Sequence, residues 1–145
     1  MRRRELRLSL WPLIPRGWRY ALKRGLDRGA PQDTMRHATE YIELLSAIET
    51  HLAAFGDKRW PPRLAEWARE FGSSQDDADA RVAHYERTRR ALGGMGSIAD
   101  VVIAPEAGHA IANDERTITA ANDELLVLVQ KLDKEVAQLL ANEKR

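Results

Sequence analysis

The feature that most constrains the fold is a three-and-four spacing of apolar residues, which is the spacing of one face of an α-helix. It runs through residues 33–55 and stops at Gly56, a residue type that commonly ends helices. The apolar positions are Ala38, Tyr41, Ile42, Leu45, Ile48, Leu52 and Phe55. The pattern predicts a long amphipathic helix whose apolar face lies in a core.

A second helix is predicted immediately afterwards. Pro61 and Pro62 suit its first turn, because proline lacks the backbone N–H that this turn leaves unpaired. Gly72 is the predicted stop. The apolar face consists of Leu64, Trp67, Ala68 and Phe71.

Two more segments show helical spacing. Ser74 and Asp77 form an S-x-x-D capping pattern, which predicts a third helix that begins there and ends at Gly93. The fourth helix is predicted from about Glu115. The apolar positions of these two helices are Ala78, Val82, Tyr85 and Leu92 in the third, and Ile118, Leu125, Val129, Leu132, Val136 and Leu139 in the fourth.

The period changes between the third and fourth helices. Residues 101–103 are a β-branched run, residues 105–108 have turn chemistry, and residues 109–111 can return as a second strand. Short gaps between helices favour antiparallel packing. We therefore predict a mainly α-helical, compact antiparallel domain of about four helices, with a small β-hairpin after a glycine-rich loop.

Composition excludes several classes of protein. The chain has no cysteine, which excludes disulfides, thiolate metal sites and cysteine nucleophiles. No apolar run approaches the roughly 18 to 20 residues that span a bilayer. The first apolar stretch is interrupted by Arg7, Ser9 and Pro12, unlike a secretory signal. We expect a cytoplasmic protein.

Charge is distributed unevenly along the chain. Residues 1–29 carry nine Lys and Arg and two acidic residues. Residues 30–145 carry 14 Lys and Arg and 20 acidic residues. We predict that residues 1–34 are a basic N-terminal extension outside the fold, and that residues 35–145, from Met35, form a single helical domain. A basic extension with Trp18 and Tyr20 leaves open weak, non-specific attachment to nucleic acid or a membrane surface through residues 1–29.

The most specific motif is Gly93-Gly94-Met95-Gly96-Ser97, with three glycines in four residues. It lacks the Lys-Ser/Thr pair of a phosphate-binding loop, and the charge of Asp100 would oppose an anion. We expect a structural role, in which Ser97 and Asp100 satisfy backbone N–H groups and Met95 or Ile98 fills the core. Asn122 lies on the apolar face of the fourth helix, so its amide must find partners, and this loop offers them.

The sequence from Gly93 to Ile103, followed by Gly108-His109 and Asn122-x-x-Leu125, resembles a small uncharacterised bacterial domain family, DUF6966, over roughly residues 36–141. Members typically have Asn before the aspartate of the motif, where this chain has Ala99. The family has no assigned function, so the resemblance brings no catalytic assignment. The motif residues are candidate binding residues: Gly93, Gly94, Met95, Gly96, Ser97, Asp100, His109 and Asn122.

Catalytic and metal-binding patterns are weak. His37 and His51 share a helix, while His84 and His109 lie elsewhere, so we predict no metal site. Ser97, Asp100 and His109 could be drawn as a nucleophilic set, but Ser97 and Asp100 are better used on backbone N–H groups. We predict no catalytic residues and no cofactor.

We therefore expect a non-catalytic protein-binding domain, with immunity-type neutralisation of a toxin as one concrete form. Residues 30–145 carry a net negative charge, which favours a basic protein partner. Two alternatives remain open. One is an enzyme or small-molecule binder that uses residues 93–100, and the other is attachment to nucleic acid or a membrane through the basic extension.

Overall fold

The computed structural model describes residues 32–144, apart from the side chains of residues 32–35 and 37. Most of the basic extension therefore lies outside the described residues, and the predictions made for it stay predictions. The described chain forms four α-helices: α1 (Gln32–Ala54), α2 (Trp60–Ser74), α3 (Ala78–Ala91) and α4 (Glu115–Glu143). Two 3₁₀ turns, Ile98–Asp100 and Pro105–Ala107, lie between α3 and α4. The mainly helical fold is confirmed.

The core forms where the predicted apolar faces meet. Helix α1 packs against α2 and α4, and α3 packs against the same two helices. The ring of Tyr41 from α1 makes edge contacts with Phe71 of α2 and Tyr85 of α3, at centroid distances of 4.9 and 5.2 Å. Since aromatic side chains bury large areas and prefer such edge contacts, this cluster joins three helices at one point.

Polar contacts show the direction in which α2 and α3 pack. Arg87 donates to the carboxylate of Glu70 at 2.7 Å, while Arg81, earlier in α3, donates to the carbonyl of Gln75 just after α2. Later residues of α3 thus meet earlier residues of α2. The two helices are antiparallel, and the end of α3 approaches the start of α2.

Two predicted helix boundaries are wrong. Helix α2 continues through Gly72 to Ser74, since a glycine inside a helix costs only about 1 kcal/mol when packing compensates. Ser74 does not open α3. Its hydroxyl donates to the carbonyl of Glu70, and the cap of α3 is Asp77, whose carboxylate accepts from the N–H of Asp79.

The predicted β-hairpin is also wrong, because no strand forms within residues 32–144. The backbone of residues 101–104 belongs to no sheet, and the polar groups of Ile103 and Ala104 have other partners. Ile103 bonds to a side chain of α4, and the N–H of Ala104 bonds to the ring of His109. The N–H of Ala110 donates to the carbonyl of Phe55 at the end of α1. With these groups satisfied, cross-strand pairing is not needed.

Within residues 32–144, no helix combines the length and apolar character needed to cross a bilayer.

Candidate functional site

The glycine segment, residues 93–97, connects α3 to the first 3₁₀ turn. Gly94 and Gly96 have φ angles of 88° and 71°, in the left-handed region that favours glycine. Ile98 is fully buried, as predicted for the residue that fills the core. Met95 is not in the core: its side chain is 100% exposed at the middle of the segment.

Asp100 supports the glycine segment from its C-terminal side. Its carboxylate oxygen Oδ2 accepts a hydrogen bond from the N–H of Gly96 at 3.0 Å. Asp100 therefore has the predicted role. Ser97 is buried and precedes the first 3₁₀ turn, but its side chain makes no capping hydrogen bond.

Asn122 supports the chain that follows the glycine segment. Its Oδ1 accepts from the N–H of Ile103 at 2.8 Å, and its Nδ2 donates to the carbonyl of Ile103 at 2.9 Å. The same Nδ2 donates to the carbonyl of Ile118 within α4. The prediction that this amide bonds to loop backbone is confirmed, although its partner is Ile103 rather than a glycine.

His109 forms the third support, with a residue that the sequence analysis missed. Its Nδ1 accepts from the N–H of Ala104 at 3.3 Å, so the ring proton lies on Nε2, which donates to Oδ2 of Asp57 at 3.1 Å. The side chains of His109 and Asp57 are 7% and 10% exposed. A signal for Asp57 exists in the sequence, because it stands shortly before the Pro-containing start of α2, where capping residues are common.

Asp57 also caps helix α2. Its Oδ1 accepts from the N–H groups of Arg59 and Trp60, both at 2.9 Å. Burial raises the pKa of this carboxyl. The hydrogen bonds from Trp60, His109 and Arg59 outweigh burial and hold its pKa below the ordinary value. The ionised carboxylate thus joins the start of α2 to the chain that leads into α4.

Both ring nitrogens of His109 are occupied, so neither is available as a general base. Among the described residues, no side-chain hydrogen bond joins Ser97, Asp100 and His109 into a nucleophilic set.

The side chains of His51, His84 and His109 lie apart from one another in the described part of the chain. His51 donates to the carbonyl of Ala121, and His84 bonds to Ser74, each far along the chain from His109. The side chain of His37 is not among those that the structure describes. No group of three or more potential metal ligands forms among residues 32–144.

The surface beside the glycine segment is basic. A Cβ placed on Gly96 would lie 3.5 Å from Nη2 of Arg59, so this guanidinium reaches the residue next to Met95. The guanidinium groups of Arg59 and Arg63 lie 5.3 and 5.7 Å from the ring centroid of Trp60. We call Met95, Gly96, Arg59 and Arg63 the Met95 surface.

The fold and the three supports define a mainly helical domain with an exposed glycine segment. Residues 53–112 match the model of a family described as a domain of unknown function, DUF6966. The match confirms the predicted resemblance over a shorter range, which contains Asp57, the glycine segment and His109. No match was found among curated proteins or among solved structures.

Proposed function

We propose that this domain is a non-catalytic protein-binding module and that the Met95 surface contacts the partner. The observation that carries the proposal is the complete exposure of Met95 beside a backbone that the side chains of Asp100 and Asn122 hold at Gly96 and Ile103. Burying one methionine on binding is worth about 1.5 to 3 kcal/mol. An exposed methionine adapts its shape readily, which suits a contact surface.

The supports matter because binding is penalised when flexible segments become ordered. Asp100 holds Gly96, and Asn122 holds both polar backbone groups of Ile103. Met95 lies directly before the first of these attachments. A segment ordered in advance loses less entropy when a partner docks, which raises affinity without additional contacts.

Binding of a toxin in an immunity-type role is one form of this proposal. Its support is the small size of the domain, the absence of a cofactor motif in the sequence and the exposed apolar residue. The alternative of an enzyme or small-molecule site on residues 93–100 has less support. The carboxylate of Asp100 occupies the N–H of Gly96, and both nitrogens of His109 are already bonded.

A photo-crosslinking experiment tests the proposal. The photoreactive residue p-benzoylphenylalanine replaces Met95 in one variant and Val127, an exposed apolar residue on α4, in the control. We expect a discrete crosslinked protein from position 95 alone. Met95→Gln should then weaken binding of that protein roughly tenfold or more, while Val127→Gln should leave it unchanged.

Equal crosslinking from both positions would contradict the proposal. A metabolite that raises the melting temperature of the wild type but not of Asp100→Ala, with no protein captured at position 95, would favour the small-molecule alternative.

A further inference from the structure

We infer that the Met95 surface fits an acidic partner, namely a protein surface with an apolar socket for Met95 beside clustered carboxylates. This inference rests on the proposed function and adds the chemistry of the partner. The net negative charge of residues 30–145 led us to expect a basic partner. The local charge beside Met95 is positive, which favours an acidic one. Residues 32–144 carry 13 Lys and Arg against 20 Asp and Glu, whereas exposed Lys58, Arg59 and Arg63 lie together at the start of α2.

The arginines are available to a partner. Arg59 and Arg63 are exposed, and neither forms an ion pair with any residue in the described part of the chain. By contrast, Arg81 and Arg87 are paired with Glu143 and Glu70. An arginine guanidinium binds a carboxylate through two parallel hydrogen bonds, so an unpaired exposed arginine is suited to carboxylate recognition.

Trp60 limits the freedom of both arginines. The indole is 4% exposed and belongs to the core, and both guanidinium groups lie within cation–π distance of it. A guanidinium held against an aromatic ring has lost part of its rotamer entropy before a partner arrives. Trp60 therefore holds both guanidinium groups at the start of α2, where that of Arg59 reaches Gly96.

The backbone at the start of α2 does not form an anion site. Pro61 and Pro62 have no N–H, and the N–H groups of Arg59 and Trp60 already donate to Asp57. Recognition of negative charge at this point must therefore use the guanidinium groups.

The same observations favour an acidic protein over a nucleic acid. The carboxylate of Asp100 lies at Gly96, which the guanidinium of Arg59 also reaches. A nucleic-acid strand would extend beyond the Met95 surface onto a body with excess negative charge, which repels phosphate. A folded protein surface can also offer an apolar socket that buries the fully exposed side chain of Met95.

A peptide titration tests the inference on the full chain without an identified partner. The probes are a peptide of alternating glutamate and leucine, and its counterpart with lysine in place of glutamate. We expect the acidic peptide to shift the amide NMR signals of Met95, Gly96 and Arg63, and the lysine peptide to leave them unchanged. Arg59→Glu/Arg63→Glu should weaken the acidic peptide roughly tenfold, since two exposed ion pairs are lost.

The control variant is Arg116→Glu/Lys131→Glu, which changes net charge equally at exposed positions of α4. It should bind the acidic peptide as the wild type does. Equal weakening by both variants, or preferential binding of the lysine peptide, would overturn the inference. A short duplex DNA that displaces the acidic peptide from the Met95 surface would assign the arginines to nucleic acid and overturn it as well.

The crosslinked protein separates this inference from the proposed function. If a protein is captured at position 95 but binds Arg59→Glu/Arg63→Glu as tightly as the wild type, the acidic preference is wrong and the protein-binding function stands. If the peptides behave as expected but position 95 captures no protein, the local chemistry is correct and the proposed function fails.

Discussion

At Gly94 and Gly96 the backbone conformation restricts which residue can stand in the glycine segment. Their φ angles are positive, which disfavours any residue with a Cβ. Space is not the restriction, since a Cβ on Gly94 would meet nothing within 4 Å and one on Gly96 would make an ordinary contact with Arg59. The requirement is therefore one of backbone conformation.

The three glycines of the segment provide an internal comparison. Gly94→Ala and Gly96→Ala should each lower the free energy of unfolding by on the order of 1 kcal/mol, because alanine is strained at positive φ. Gly93→Ala should change stability little, since Gly93 has no positive φ and open space around its Cα. Urea denaturation of the three variants measures the difference. Equal losses in all three would show that backbone strain is not the cause.

At the scale of elements, the segment between α3 and α4 is held by side chains rather than by a sheet. Asn122 of α4 takes the place of a neighbouring strand, because its amide both donates to and accepts from the backbone of Ile103. Asp57, at the start of α2, holds His109 in the same way. Asn122 lies on α4 and Asp57 lies in the short link between α1 and α2, so the position of the segment depends on how these helices pack.

Removing the hydrogen bonds of Asn122 and removing that of Asp100 should destabilise the protein to different extents. Asn122→Leu should lower the free energy of unfolding by about 2 to 3 kcal/mol, because it leaves the buried N–H and C=O of Ile103 without partners. Asp100→Ala should cost about 1 kcal/mol, since its hydrogen bond to Gly96 is exposed to water. Gln130→Leu, at an exposed position of α4, is the control and should be nearly neutral.

The double variant tests whether the supports act separately. Asp100 and Asn122 share no hydrogen-bond partner, so their costs should add within about 0.5 kcal/mol. Larger coupling in chemical denaturation would show that the segment is ordered as one unit.

For the molecule as a whole, the centre of the core contains one polar pair. The hydroxyl of Tyr41 on α1 and the hydroxyl of Thr88 on α3 are 2.6 Å apart, and both residues are 0% exposed. Burial raises the pKa of Tyr41 to about 12, so the phenol stays neutral at physiological pH. The bond fixes α1 and α3 in register around the aromatic cluster.

A double-mutant cycle at this pair tests how far the core depends on it. Tyr41→Phe and Thr88→Val should each cost about 1 to 3 kcal/mol, because each leaves one buried hydroxyl unpaired. The double variant should cost less than the sum of the two, since no unpaired hydroxyl remains. Thermal and urea unfolding measure all four proteins. If the two single losses of stability simply add in the double variant, the predicted coupling is wrong. The hydroxyls would then be in contact with water.

The sequence by itself determined that four helices form, although two of their predicted boundaries were wrong. Apolar spacing along α1 and α4 depends only on which residues share a helical face, so it can be counted without knowing any neighbour. The stop at Gly56 followed from the left-handed backbone that a glycine permits, and its φ is 73°. The sequence also indicated that the amide of Asn122 must find partners, because a polar group on an apolar face cannot be left unpaired.

Only the tertiary structure decided how residues 93–111 are held. The β-branched run at residues 101–103 predicts a strand from local preference, but its polar groups are satisfied by Asn122 and His109, which no local pattern reveals. Asp57 and His109 are 52 residues apart in sequence, and Arg59 reaches Gly96 only because α2 and α3 pack antiparallel. The spacing of residues along the chain specifies which apolar residues share one face of a helix. The partners of buried polar groups depend on how the helices pack, and this packing also left Met95 in solvent.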